Sequence, residues 1–402
     1  MDAAVLNHEI PRQDAAGSLG LRGKVATIAG VPWFCWAAVL GATCIPLGAI
    51  WDISWHSTIG RDTFWTPAHL LIHFGGLLSG FTAGWLAIRT SFFATEAEKR
   101  SAVRLFGFHA PLGAWIIIWG AMAMLFSAPF DNWWHDAYGL DVQILSPPHT
   151  VLAAGMYAVA MGGLLLVLAH QNRSAEGSKA GSYLFTYAAG ILLTMSTIIL
   201  TEKSFPNQQH GSLFYALCAA TYPLYLVGTS RASRLRWGAT GAALVYMAIM
   251  IGFIWILPLF PAEPKLAPIY NPVTHMVPPS FPLLLIVPAI AVDLVMRTVG
   301  RRSGFWWNFV TAFCCAVVFL GLLIAVQWPF SQFLLSPAAD NWFFSGNRHW
   351  PYFAHMGEWH LRFWRPEEDP FTAKGVFIAF ALAFAKSRIA IAFGGWMRKA
   401  QR

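Results

Sequence analysis

Residues 51–69 read WDISWHSTIGRDTFWTPAH, and residues 70–89 run on as LLIHFGGLLSGFTAGWLAIR. The second stretch meets no Asp, Glu, Lys or Arg before Arg89, and as a helix it is long enough to cross about 30 Å of hydrocarbon. Residues 33–50, WFCWAAVLGATCIPLGAI, have the same character. The polar insert therefore joins two apolar helices that fold back on each other, and this hairpin sets the fold class. Hydrophobic residues make up 56% of the 402 positions and DEKR only 11%. Span-length apolar runs recur at roughly 27–50, 66–88, 104–128, 147–170, 182–201, 212–229, 236–258, 281–297 and 304–327. A weaker one near 374–396 is interrupted by Lys386 and Arg388 and reads as a short span or an interfacial helix. The expectation is an all-α, polytopic transmembrane helical bundle of about ten spans.

Charge placement gives an orientation. The net charge of +8 is not a nucleic-acid signature, because the bases sit in short loops. Arg89, Lys99, Arg100 and Arg104 follow the second span, and Arg173 and Lys179 the fourth. Arg231, Arg234 and Arg236 follow the sixth, and Arg297, Arg301 and Arg302 the eighth. Arg398, Lys399 and Arg402 close the chain. These loops and a tail over 1–26 are expected in the cytoplasm, in a bacterial inner (cytoplasmic) membrane. Asp2, Glu9 and Asp14 mix with Arg12, Arg22 and Lys24 in that tail, unlike a cleaved signal. Residues 27–170 then form one region, 171–327 add further helices, 328–371 form an outer-face cap, and 372–402 end the chain. Cys35, Cys44, Cys218, Cys314 and Cys315 all fall in apolar runs without a CxxC and read as buried small hydrophobes.

The opening hairpin has a second copy. Residues 130–149 read FDNWWHDAYGLDVQILSPPH, with one residue inserted. Matched positions are Asp52/Asp131, Trp55/Trp134, His56/His135, Gly60/Gly139, Asp62/Asp141, Pro67/Pro147 and His69/His149. An Asp and a His four apart share one helix face. Thr66 and Ser146 read as N-caps with proline at the first helical position, so His69 and His149 fall in the first turn of the returning helix. Each hairpin thus gathers one carboxylate and two imidazoles, a donor set suited to Cu(II), Zn(II) or, as a facial triad, Fe(II). The ordinary reading of a histidine at a membrane interface is a hydrogen-bonded belt residue, and Trp51, Trp55, Trp65, Trp133 and Trp134 read as an aromatic belt. Two copies of the whole constellation exceed what anchoring requires, and ionisable groups at membrane depth are usually functional. Both sites are expected on the non-cytoplasmic side.

Other polar positions are weaker. Asn271 and His275 repeat the four-residue spacing before Pro278 and Pro279, without a later histidine. His73, four after His69, reads as an intramembrane hydrogen-bonding group or a supporting ligand. Asp62 and Asp141 either orient ligand imidazoles or cap the loop. Glu202 and His210 fit no pattern, and His349, His355, Glu358 and His360 lie in the outer cap, where a solvated loop is the ordinary expectation. No Walker, Rossmann, haem-attachment or nucleophile-elbow motif is visible.

The segment Asp52 to His69 resembles the metal-binding segment of the C subunit of particulate methane and ammonia monooxygenases, the copper membrane monooxygenases. That family carries Asp-x3-His-x12-His before an apolar helix, with Arg-Asp-Thr and Thr-Pro between the histidines. Here they are Asp52, His56 and His69, with Arg61-Asp62-Thr63 and Thr66-Pro67. The family's second site, Asn-x3-His-x13-His, matches Asp131, His135 and His149, with aspartate in place of asparagine. The resemblance covers roughly residues 27–170. It implies copper at one or both triads, O2 activation for oxidation of a small apolar substrate, and reductant from a quinol or a partner subunit. The open alternatives are a copper carrier, sensor or assembly factor without catalysis, and the same site holding Fe(II). Scattered methionines, 12 in all, do not make the thioether strings that suit Cu(I) transport.

Overall fold

The computed structural model describes residues 25–60, 65–139, 146–173, 178–265, 273–302, 304–344 and 369–401. Long helices dominate. They are α1 (Trp33–Thr58), α2 (Pro67–Phe92), α4 (Leu112–Tyr138), α5 (Pro147–Arg173), α6 (Lys179–Ile199), α7 (Ser212–Ala232), α8 (Gly238–Ile256), α10 (Phe305–Leu334) and α11 (Ala373–Met397). Two shorter ones are α3 (Glu96–Ser101) and α9 (Ile286–Thr298). Two-residue and three-residue β-hairpins at Thr27–Pro32 and Val103–Ala110 close loops at one end of the bundle. Among the described residues nine helices are long and apolar enough to cross a bilayer, and the chain is an integral membrane protein by that measure. Most of these helices are apolar around their whole circumference, because one side meets protein and the other meets lipid.

The helices assemble around two adjoining cores. One lies among α1, α2, α4, α5 and α6 and includes Ile45, Ile72, Ile117, Val159 and Phe185. The other lies among α7 to α11 and includes Tyr222, Leu226, Ala289, Phe319 and Ala383. Glycine sets the close approach in both N-terminal hairpins. A Cβ on Gly41 would lie 2.6 Å from the Gly75 carbonyl oxygen, and one on Gly75 would lie 2.5 Å from that of Gly41. The second hairpin repeats this with Gly120 and Gly155, each 2.7 Å from the other's carbonyl oxygen. Backbones meet there because no side chain intervenes, as small residues allow in lipid.

Of two expected spans, one is resolved in favour of a span and one differs from the expectation. The interrupted run near 374–396 is a continuous 25-residue helix, α11, bound along α7 and α10. Its Arg388 guanidinium lies 5.1 Å from the Phe309 ring centre, a cation–π contact. The run at 281–297 is only partly helical. Prolines 278, 279 and 282 keep the chain extended until Ile286, and the 13-residue α9 spans about 20 Å, too short to cross alone. This extended stretch is largely buried, so its backbone needs partners inside the protein. Val277 N–H donates to Thr58 Oγ1 at 2.9 Å, and Ser54 Oγ–H donates to the Val277 carbonyl at 2.5 Å. Leu283 N–H donates to Tyr246 Oη and Leu284 N–H to Gln327 Oε1, both at 2.9 Å. Gln327 Nε2 in turn donates to Gln209 Oε1 at 2.7 Å.

At the other end of α9, Asp293 is 1% exposed and holds the start of α8. It accepts from Ala239 N–H at 3.2 Å, Thr240 N–H at 2.8 Å, Thr240 Oγ1 at 2.8 Å and Ser230 Oγ at 2.6 Å. The carboxylate satisfies two of the free N–H groups that every helix start presents and complements the helix dipole. Asp293→Ala is expected to cost on the order of 3 kcal/mol, since charge-assisted bonds and buried donors are lost together. A thermal unfolding midpoint in detergent equal to wild type would refute this role.

Candidate metal centre

The last turn of α1 and the first turn of α2 face each other across the 51–69 connection. Asp52 and His56 are one helical turn apart on α1, and His56 Nε2 lies 3.7 Å from Asp52 Oδ2. On α2, Thr66 caps the helix by accepting from His69 N–H at 3.3 Å, with Pro67 opening the first turn. That cap fixes where His69 leaves the helix. Its Nε2 comes to 3.1 Å from Asp52 Oδ1, and the His56 and His69 rings are 6.4 Å apart. The three ligand atoms all lie within 4.8 Å of one another. Donors bound to one ion by bonds of about 2.1 Å stand about 3.0 to 3.4 Å apart at right to tetrahedral angles. The two histidine–aspartate contacts, at 3.1 and 3.7 Å, approach that spacing. The side chains are partly exposed, His56 at 43% and Asp52 at 21%, so the site opens to one side.

The second hairpin assembles the same residues less tightly. His135 Nε2 is 3.4 Å and His149 Nε2 3.6 Å from the same oxygen, Asp131 Oδ1. Among the described residues, only the first triad forms a group of three within 4.8 Å. His135 Nδ1 lies 3.2 Å from the Gly139 carbonyl, the C-cap position of α4 where φ is +81°. That contact orients the ring with Nε2 toward Asp131. Ser146 accepts from His149 N–H at 3.5 Å, the counterpart of the Thr66 cap. Around this triad, Phe130 stacks on Trp133 at 5.9 Å and Trp134 meets Tyr138 at 4.5 Å. Trp65, Trp133 and Tyr138 are exposed at the same bundle end, as an aromatic belt would be.

The remaining positions separate. His73 is one turn along α2 from His69, near enough for their charges to interact, and is not part of the converging group. His275 bonds Thr274 Oγ1 through Nδ1 at 3.0 Å and sits in an isolated bridge to Pro261. Asp62, Asp141, Asn271, His349, His355, Glu358 and His360 lie outside the described residues.

Sequence reasoning missed the surroundings of the first triad. Ser54 and Thr58, on the α1 turns that carry Asp52 and His56, clasp Val277 from more than two hundred residues away. Their spacing of four was a visible sign, since two hydroxyls on one face of an apolar helix need partners. His210 also has a place that spacing did not reveal. Its Nε2 lies 3.1 Å from Ser331 Oγ and its ring stands edge-on to Trp328 at 4.8 Å. Burial there disfavours the charged imidazole and holds its pKa below the ordinary histidine value.

No protein-family model matches the chain, and it matches neither a curated protein nor a solved structure.

Proposed function

We propose that this chain is a copper-binding membrane protein of the monooxygenase C-subunit type, with Asp52, His56 and His69 as its primary metal site. The observation that carries this reading is the approach of the three ligand atoms to within 4.8 Å. Two imidazoles and one carboxylate suit copper, with Fe(II) and Zn(II) as competitors for the same donors. Bound copper would supply the redox chemistry that activates O2 for oxidation of a small apolar substrate. Asp52 contributes negative charge to the site, and its contact with His69 ties α1 to α2. The Thr66 cap and the Gly41–Gly75 approach hold the two helix turns at fixed separation. A site at the end of an apolar hairpin suits a substrate that partitions into lipid. Electrons come from a quinol or a partner subunit, since no electron-carrier motif lies in this chain.

The second triad is read as a duplicated copy. Its support is the matched order of residues together with the Gly120–Gly155 approach, which stands at the positions of Gly41–Gly75 when the two segments are laid over each other. The proposed orientation puts both triads on the non-cytoplasmic face of a bacterial inner membrane, following the basic loops at the other end.

Metal analysis of the purified protein, with electron paramagnetic resonance after oxidation, tests copper directly. Protein loaded in copper-containing medium that carries no copper, or only zinc, would overturn the reading. Asp131→Asn tests the second site with a nearly isosteric change. It is expected to lower metal affinity there about 10- to 100-fold and to shift the pH dependence of loading. The first site stays occupied. Unchanged metal content in Asp131→Asn and in His135→Ala would leave one metal per chain and a structural second hairpin.

A further inference from the structure

The bundle end opposite the metal centre gathers arginines from several helix ends. Asn172, near the end of α5, donates to the carbonyls of Met397 and Ala400 at 2.7 Å, so the α5 and α11 C-termini share this end. Arg231, near the end of α7, lies against Gly394 of α11 and donates through Nη1 to the Gly300 carbonyl at 2.8 Å. The Arg297 guanidinium lies 4.6 Å from the Trp237 ring centre and that of Arg236 lies 5.9 Å from the same ring. Arg301 is close enough to add to the repulsion on Arg297, and Arg398 does the same to Arg231.

This positive charge is not neutralised by the described protein. Ion pairs among the described residues join Glu96 to Lys99 and the two aspartates to the triad histidines. Asp293 is the neighbouring acid, and its oxygens already accept from Ser230, Ala239 and Thr240. Arg231 Nε and Arg297 Nη1 are shielded from solvent and donate to no described group. A shielded donor without an acceptor is costly, and the described residues supply none for these two atoms. Guanidinium forks match phosphate oxygens well. The surroundings place that phosphate at the membrane surface. Phe305 and Trp306 are 61% and 76% exposed, and Arg302 stacks over Trp307 at 4.1 Å. Exposed aromatic side chains beside basic ones mark the headgroup level.

We propose that Arg236, Arg297 and Arg301, gathered around Trp237, form a binding site for the phosphate of an anionic phospholipid headgroup. Basic pockets between helix ends recognise such headgroups by charge and hydrogen bonding together. The site is independent of the metal reading, because no residue is shared.

The test uses the full-length protein purified in a neutral detergent and titrated with phosphatidylglycerol, phosphatidylcholine or inorganic phosphate. Thermal unfolding and native mass spectrometry are the readouts. Phosphatidylglycerol should raise the midpoint and remain bound, while the other two have little effect. Arg236→Gln with Arg297→Gln should weaken the apparent affinity roughly 10- to 30-fold. Lys99→Gln with Arg100→Gln, outside the cluster, where Lys99 already pairs with Glu96, should leave it unchanged. If the double arginine variant fails to fold, Arg301→Gln reads the same affinity, since its side chain bonds no described group. An equal response to phosphatidylcholine overturns the proposal. An equal rise with inorganic phosphate overturns the lipid assignment in favour of a soluble anion. Equal weakening in the Lys99/Arg100 variant means that diffuse charge is responsible, and also overturns it.

Discussion

His56→Ala is expected to strip about one metal equivalent from the purified protein, and His69→Ala to do the same, because three protein ligands are the usual minimum for firm binding at such a site. The two changes act from opposite helices. His56 is one turn from Asp52 on α1, while His69 reaches across from the capped start of α2. Losing either leaves one imidazole and a carboxylate, and the remaining pair cannot enclose the ion. Asp52→Ala is expected to weaken loading less, because both imidazoles remain. Helical content by circular dichroism should stay at the wild-type level, since both side chains lie near helix ends and are partly exposed. Metal content by elemental analysis decides the matter. Full occupancy in His56→Ala would mean that the triad is a hydrogen-bonded group at the interface and that the proposed function is wrong.

Gly75→Leu should have the larger structural effect. A Cβ at this position meets the Gly41 carbonyl oxygen at 2.5 Å, Ile45 Cγ1 at 2.9 Å and Cys44 Cβ at 3.1 Å. The first of these is backbone and cannot swing away, so α1 and α2 must separate. Overpacking of this kind costs about 3 kcal/mol or more when the backbone itself is displaced. His69 lies six residues along α2, about 9 Å from the wedge. The distance between His69 and Asp52 should therefore widen and metal loading fall along with stability. Gly84→Leu is the control, because nothing lies within 4 Å of a Cβ there. The two variants are nearly matched in helix propensity and hydrophobicity. An unfolding midpoint lowered equally in both would show that the Gly41–Gly75 approach does not organise the hairpin.

Much of the fold was legible because its determinants are local. Apolar length and charge spacing locate spans without reference to any partner, and nine of the runs correspond to long helices. However, α1 and α4 lie six to ten residues further along than the expected 27–50 and 104–128, the latter run beginning in a β-hairpin. Thr66-Pro67 and Ser146-Pro147 announce helix starts, because a cap and its N–H group are three residues apart. The pairs Asp52/His56 and Asp131/His135 were equally readable, since a spacing of four sets their distance on a helix. The weak run near 374–396 is a span-length helix, α11, despite Lys386 and Arg388. One run misled. The proline-rich run before Ile286 is apolar enough to span, yet it cannot be helical throughout.

Sequence alone therefore determined that this is an α-helical membrane protein and brought Asp52, His56 and His69 onto one candidate list. Tertiary structure decided how close they come. The 3.1 Å contact between His69 and Asp52, and the looser 3.4 and 3.6 Å contacts of the second triad, depend on how each hairpin closes. The same holds for the clasp of Ser54 and Thr58 on Val277, for Gln327 between Leu284 and Gln209, and for Asp293 on the start of α8. Each of these pairs residues 43 to 223 positions apart, mostly on different helices. Helix periodicity fixes which face a side chain occupies. Only the packing of one helix on another fixes what that face meets.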